Sequence, residues 1–209
     1  MTRRRPARTR LPSLPADLAI GIMGGSFDPA HSGHAHVIET ARRAAGLDRI
    51  WVLVSPGNPL KKTQTALTDR LAAARRRLGS RTTHVTEIES RLGTRYTIHT
   101  LRRLKRLAPN ARFVWIMGAD NLRDFHRWKD WRAIARLAPI LVIARPSANP
   151  KAGLSRFARQ FAAHRLPRSA ARTLARTKPP SWVYITAPFD PVSSTELRAK
   201  MLANAIPPI

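Results

Sequence analysis

Two histidines three residues apart, His31 and His34, lie in the stretch Gly24-Gly25-Ser26-Phe27-Asp28-Pro29-Ala30-His31-Ser32-Gly33-His34. An apolar run, Leu18 to Met23, precedes this stretch, and Val37, Ile38, Ala41 and Ala45 follow it on one helical face. A strand, a glycine turn and a helix start in that order suit a phosphate. The helix N-terminus offers N–H groups and a partial positive charge, and glycine lets the backbone come close to an anion. Histidines at that place can add donors. Taken alone, the pair also reads as a loop residue (His31) and a residue of the core-facing stripe (His34). Zinc is disfavoured, because no third ligand sits at helical spacing.

The elements that must position this stretch follow from the alternation of apolar runs and helical stripes. Ile50 to Val54 predicts a second strand, stopped by Ser55-Pro56-Gly57-Asn58-Pro59. Leu67, Leu71, Ala74 and Leu78 predict a helix, and Thr83 to Ile88 a more polar strand nearer an edge. Ile98, Leu101, Leu104 and Ala108 mark another helix closed by Pro109. Phe113 to Met117 and Ile140 to Ala144 are apolar without alternation, as in parallel strands covered on both faces. A short helix ends at Leu137 between them. Leu154, Phe157, Ala158 and Phe161 predict one amphipathic helix, while Arg165 to Lys178 has no readable pattern. Trp182 to Thr186 and Ser194 to Leu202 predict the last strand and helix.

This order implies an α/β fold, a Rossmann-like doubly wound parallel sheet in a single domain spanning 18–203. The flanks are a disordered basic arm, 1–17, and a tail, 204–209. In such sheets ligands bind beyond the carboxyl ends of the strands. The segments there, Gly24–His34, Ser55–Lys62, Gly118–Trp128 and Ala187–Arg198, are also the richest in Gly, His, Asp, Ser and Thr.

Composition narrows the partners. The 209 residues carry 38 Lys and Arg against 12 Asp and Glu, a net charge of +26, which favours anionic ligands. Solvated helix faces account for much of such charge, and bulk charge lacks base-reading geometry, so nucleic acid is disfavoured as the main partner. The absence of cysteine excludes disulfides and thiolate chemistry and fits a cytoplasmic protein. No run is long enough to span a bilayer.

Gly25-Ser26-Phe27-Asp28-Pro29-Ala30-His31-Ser32-Gly33-His34 resembles the signature of the HxGH nucleotidylyltransferase superfamily. Val192-Ser193-Ser194-Thr195-Glu196-Leu197-Arg198 resembles its second signature, at the opposite end of the chain. Between them, Gly93–Leu101, Trp115–Leu122 and Phe125–Trp131 are similar to segments of bacterial nicotinate-nucleotide adenylyltransferases. The resemblance runs from about Ile20 to Arg198 and implies a reaction in which ATP and nicotinate mononucleotide give nicotinate adenine dinucleotide and pyrophosphate, with Mg²⁺ carried on the ATP phosphates. Nicotinamide mononucleotide and pantetheine phosphate are the alternatives within the superfamily.

The same resemblance assigns residues. His31, His34 and Arg198 would be catalytic, His34 above all in the transition state. Gly24, Gly25, Ser26, Phe27, Ser193, Ser194 and Thr195 would hold ATP. Trp128 would stack on the pyridine ring, Thr97 would meet the nicotinate carboxylate, Asp120 would bind the ribose, and Tyr96 would belong to the same mononucleotide site. Trp131 reads as structural. Family members often carry Pro-Pro-His-Lys after the second strand; this chain has Pro56-Gly57-Asn58-Pro59-Leu60-Lys61-Lys62, where Lys61 or Lys62 would replace the histidine.

Overall fold

In the computed structural model, which describes residues 17–57, 65–144 and 154–187, each apolar run becomes a strand of one parallel sheet. The first run forms β1 (Ala19–Gly25), so the glycine pair ends the strand rather than following it. Helix α1 (Ser32–Ala44) leads to β2 (Arg49–Val54), then α2 (Leu67–Leu78) to β3 (Thr83–Thr86). Two helices follow, α3 (Ile88–Leu92) and α4 (Thr97–Leu107), before β4 (Arg112–Gly118). Helix α5 (Ala119–Asp124), a 3-10 turn at Phe125–Arg127 and α6 (Trp131–Leu137) lead to β5 (Ile140–Ala144). Helix α7 (Arg156–Gln160), the two-residue β6 (Arg165–Leu166), a 3-10 stretch (Arg168–Arg176) and β7 (Trp182–Thr186) complete the described chain.

The strand order is β3-β2-β1-β4-β5-β7-β6, and every pairing is parallel. The chain moves outward from β1 to β3, then returns to place β4 on the other side of β1. That reversal opens a crevice beyond the carboxyl ends of β1 and β4, the place where a doubly wound sheet receives ligands. β3 is an edge strand, as its polar sequence predicts.

Each face of the sheet buries its own core. One contains Ile22, Trp115, Leu122, Phe125 and Leu101; the other contains Phe27, Val37, Val54, Leu71 and Ile116. Side chains of β1 alternate between them, since successive residues of a strand point to opposite faces. Glycine 24 therefore faces the α3–α6 side and glycine 25 the α1–α2 side. The two halves of the crevice floor belong to different layers.

Several expectations are corrected. Ile88 does not extend β3; with Leu92 it anchors α3 into the core, which a strand reading of Thr83–Ile88 missed. Leu154 is 69% exposed and does not join Phe157, Ala158 and Phe161 on the buried side of α7. The unreadable basic stretch is mainly 3-10 helix, with Ala171 and Leu174 buried and its arginines outward, which breaks the 3.6-residue period. The basic arm up to residue 16, the loop residues Lys61 and Lys62, and the predicted Ser194–Leu202 helix lie outside the described residues.

Candidate active site

The two histidines close the start of α1 by gripping each other's backbone. His31 is the N-cap: its Nδ1 accepts from the Gly33 N–H at 3.1 Å, while the His34 Nδ1 accepts from the His31 N–H at 3.2 Å. This is a capping box in which two imidazoles stand where a hydroxyl and a carboxylate usually do. An Nδ1 that accepts a hydrogen bond carries no proton, so in each neutral ring the proton resides on Nε2. The box thus sets both tautomers and leaves Nε2 as the donor atom of each ring.

The rings lie close and tilted at 40° to each other, with centroids 3.9 Å apart, and His34 also packs on Phe27 at 4.9 Å. Phe27 is buried, and its ring covers the position a Gly25 side chain would need; a Cβ there would lie 3.2 Å from Phe27 Cε2. Phe27 reaches this place with φ of 47°, in the left-handed region that costs a non-glycine residue about 1–2 kcal/mol. Gly24, Gly25 and Ser26 are half-buried at the end of β1. Glycine pair, Ser26 and both histidines therefore share one seat at the head of α1. His34 is not simply a stripe residue: it is half-exposed and belongs to the cap.

The second half of the crevice lies across β1 on the β4 side. Trp128 is half-buried, with its ring edge-to-face against Phe125 at 5.3 Å and against Trp115 at 6.1 Å. Trp115 in turn fills the space over Gly24, 2.8 Å from where a Cβ would be. Trp115 is thus the physical bridge between the two seats. Trp131 is buried among Phe125, Phe157 and Phe161, in keeping with a structural role. Tyr96, 40% exposed, caps α4 and carries the ammonium of Lys129 over its ring at 4.7 Å. That contact draws the Tyr96–Thr97 turn toward the segment holding Trp128. Asp120 is exposed in the first turn of α5; burial raises the Tyr184 pKa above its ordinary value, the Arg165 charge opposes that rise and the Asp120 charge adds to it.

Beneath the Tyr96–Thr97 turn lies a buried polar cluster. Thr100 donates to Glu89 Oε1 at 2.9 Å, lies 2.9 Å from the Thr94 hydroxyl, and is 3.3 Å from the Tyr96 carbonyl. The Thr94 N–H donates to the Glu89 carbonyl at 2.9 Å. Burial pushes the Glu89 carboxyl above its ordinary pKa, and the Thr100 hydrogen bond opposes this.

The described residues bring Gly24, Gly25, Ser26, Phe27, His31 and His34 together at the head of α1; Tyr96 is joined to the Trp128 segment through Lys129, Thr97 begins α4, and Asp120 stands in the first turn of α5. Lys61, Ser193, Ser194, Thr195 and Arg198 lie outside them. Sequence reading placed Trp115, Thr94 and Thr100 in family-like segments but gave them no structural role, and it passed over Glu89, so the contact of Trp115 with Gly24 and the Glu89–Thr94–Thr100 cluster were missed. It also missed Arg70, one of 38 basic residues and only 3% exposed. A buried arginine has no signature in composition.

A doubly wound parallel sheet with a histidine-capped helix start beyond its first strand fits one class of protein, and the chain falls in it: residues 22–200 match the cytidylyltransferase-like family, to which the chain belongs. A probable nicotinate-nucleotide adenylyltransferase of Ruegeria sp. (strain TM1040) is 46% identical over 184 residues, 88% of this chain and 97% of its own. One of the same description from Caulobacter sp. (strain K31) is 49% identical over 185 residues, 88% of this chain and 98% of its own. The fold is that of Plasmodium falciparum nicotinic acid mononucleotide adenylyltransferase complexed with NaAD, with a TM-score of 0.66 at 20% identity over 87% of this chain and 83% of that one. Among the described residues no helix is long and apolar enough to cross a membrane.

Proposed function

We propose that the chain transfers AMP from ATP to nicotinate mononucleotide, giving nicotinate adenine dinucleotide and pyrophosphate. The observation that carries this reading is the pairing of a histidine-capped phosphate seat with an aromatic seat across Gly24 and Trp115. Relatives close to half identical over nearly their whole length bear the matching description.

The 5′-phosphate of the mononucleotide is already ionised at neutral pH. One of its oxygens attacks the α-phosphorus of ATP, a new P–O bond forms, and the bond from that phosphorus to the bridging oxygen breaks. Pyrophosphate leaves with the electron pair. No protein nucleophile or strong base is required, so the chain's work is to position two anions and offset the charge that builds between them. The Nε2–H groups of His31 and His34 serve that charge. Ser26 and the N–H groups after Gly25 receive phosphate, and Arg198 with Ser193, Ser194 and Thr195 hold the triphosphate tail from the far end of the chain. Lys61 is the nearest equivalent of the family's loop histidine.

The pyridine ring stacks on Trp128, the ribose hydroxyls meet the Asp120 carboxylate, and the nicotinate carboxylate meets the Tyr96–Thr97 turn at the N-terminus of α4. Among the described residues no group of three or more His, Cys, Asp or Glu could hold a metal ion. The donors at the phosphate seat are imidazoles and amides, which suit phosphate oxygens rather than Mg²⁺. Such an ion would ride on ATP itself and neutralise its phosphate charge. A cytoplasmic place of work suits a chain without cysteine.

The test is pyrophosphate release from ATP, measured with nicotinate mononucleotide, nicotinamide mononucleotide and pantetheine phosphate in turn. A kcat/KM highest for nicotinate mononucleotide is expected. A large advantage for either alternative replaces the substrate. No turnover, together with salt-sensitive binding of RNA or DNA, replaces the enzyme reading with that of a nucleic-acid binder.

A further inference from the structure

Arg70, in the first turn of α2, is almost wholly buried and spends its guanidinium on backbone carbonyls. Its Nη1 donates to the Ser26 carbonyl at 2.8 Å and the Ser55 carbonyl at 2.9 Å, and its Nη2 reaches the Pro56 carbonyl at 3.4 Å. Its Nε donates to the Thr65 carbonyl at 2.8 Å. One side chain thus ties the turn after β1 to the turn after β2 and to the entry of α2.

Thr65 completes a ring. Its hydroxyl donates to Asp28 Oδ1 at 2.8 Å and its N–H to Asp28 Oδ2 at 3.3 Å. The phosphate turn is therefore held on both sides of Phe27, by Arg70 at Ser26 and by Thr65 at Asp28. Phe27 is the residue in the left-handed conformation. A non-glycine residue remains there only where its surroundings over-determine it. Moreover, the Ser26 C=O and the Phe27 N–H belong to one planar trans peptide and point in opposite directions. A grip on the carbonyl fixes where the N–H points.

We infer that Arg70 is a positioning residue for ATP: it acts through the Ser26–Phe27 peptide, orienting the N–H groups of the phosphate turn, and does not itself touch the nucleotide. The inference rests on the phosphate turn being an ATP seat. Lysine is a poor substitute, since an ammonium donates from one point and cannot span carbonyls on three segments. The charge also matters. Asp28 is the acidic group whose charge acts on Arg70, and its effect opposes the lowering of the Arg70 pKa by burial.

The layering of the sheet makes the effect specific. Phe27, Val54 and Leu71 pack on the α1–α2 face, whereas Trp115 and Trp128 pack on the other. Loosening the clip disturbs the phosphate seat and leaves the aromatic seat in place. A strut that merely held the fold together would weaken both.

The experiment uses the full chain and three variants, Arg70→Gln, Arg70→Lys and Thr65→Val. Binding of a non-hydrolysable ATP analogue and of nicotinate mononucleotide is measured separately by calorimetry, beside kcat. For Arg70→Gln, analogue binding weakens at least about 10-fold while mononucleotide binding stays within about 2-fold. Arg70→Lys and Thr65→Val shift analogue binding in the same direction by less. Unchanged analogue binding in folded variants overturns the inference, and so does a parallel loss of both ligands. Should Arg70→Gln fail to fold, the same split decides in the milder variants. A wild-type chain that binds the analogue but forms no dinucleotide overturns the proposed reaction, and the binding data still decide the role of Arg70.

Discussion

Trp115 lies where a side chain on Gly24 would be: a Cβ at residue 24 would fall 2.8 Å from Trp115 Cη2. The end of β1 is therefore glycine for a packing reason, and the indole stands between Gly24 and Trp128. Gly24→Ala forces the buried indole to move, and overpacking of this kind costs about 1–3 kcal/mol. Urea denaturation should show that loss, together with a raised KM for the mononucleotide through displaced Trp128. A variant as stable as the wild type shows that Trp115 can yield without cost.

The shared cap lets the two jobs of the histidines be separated. His34→Ala removes the proposed donor to the phosphates and one arm of the cap. It should lower kcat by about 100-fold, the scale for losing one transition-state donor, with little change in either KM. His31→Asn keeps a good N-cap, so its stability should stay within about 0.5 kcal/mol of wild type while kcat falls. Thermal melts beside steady-state rates check this. Near-normal kcat in folded His34→Ala removes that ring from the mechanism.

Trp128 is tested through the mononucleotide. Stacking of a base on an aromatic side chain is worth about 1–3 kcal/mol, so Trp128→Ala should raise the KM for nicotinate mononucleotide by about 10- to 100-fold and leave that for ATP nearly unchanged. Trp128→Phe should recover part of the loss. An unchanged KM in the alanine variant makes Trp128 only a lid over Trp115 and Phe125.

Glu89 makes stability depend on pH. Its folded pKa is raised above the unfolded value, chiefly by burial. Between the two values the folded chain binds the proton more tightly, so its stabilising contribution is full below the unfolded pKa and is lost as pH rises through the folded one. Glu89→Gln keeps the shape and an acceptor for Thr100 without that titration. Denaturation midpoints taken from about pH 4 to pH 8 should fall less with rising pH in the variant than in the wild type. Parallel curves exclude Glu89 as the source.

Much of the fold was legible from one dimension. A strand buried on both faces must be a continuous apolar run, and Phe113–Met117 and Ile140–Ala144 are such runs. Helices with one buried side show it in spacing, as Leu71, Ala74 and Leu78 do. The 3-10 segments escaped because their three-residue period, seen in buried Ala171 and Leu174, is not the α-helical one, and α3 escaped because five residues are too few for any period to register.

The amino-acid sequence by itself determined the strand–glycine–helix order around His31 and His34, because local backbone chemistry dictates where a strand can turn and a helix can begin. It determined the apolar runs that force a parallel sheet, and hence the edge on which polar residues collect. Only the tertiary structure decided that Trp115 stands between Gly24 and Trp128, and that Arg70 reaches Ser26. Those relations join residues from separate strands and turns. They depend on which strands lie side by side and which face a side chain leaves by, and spacing along the chain does not encode distance across the sheet.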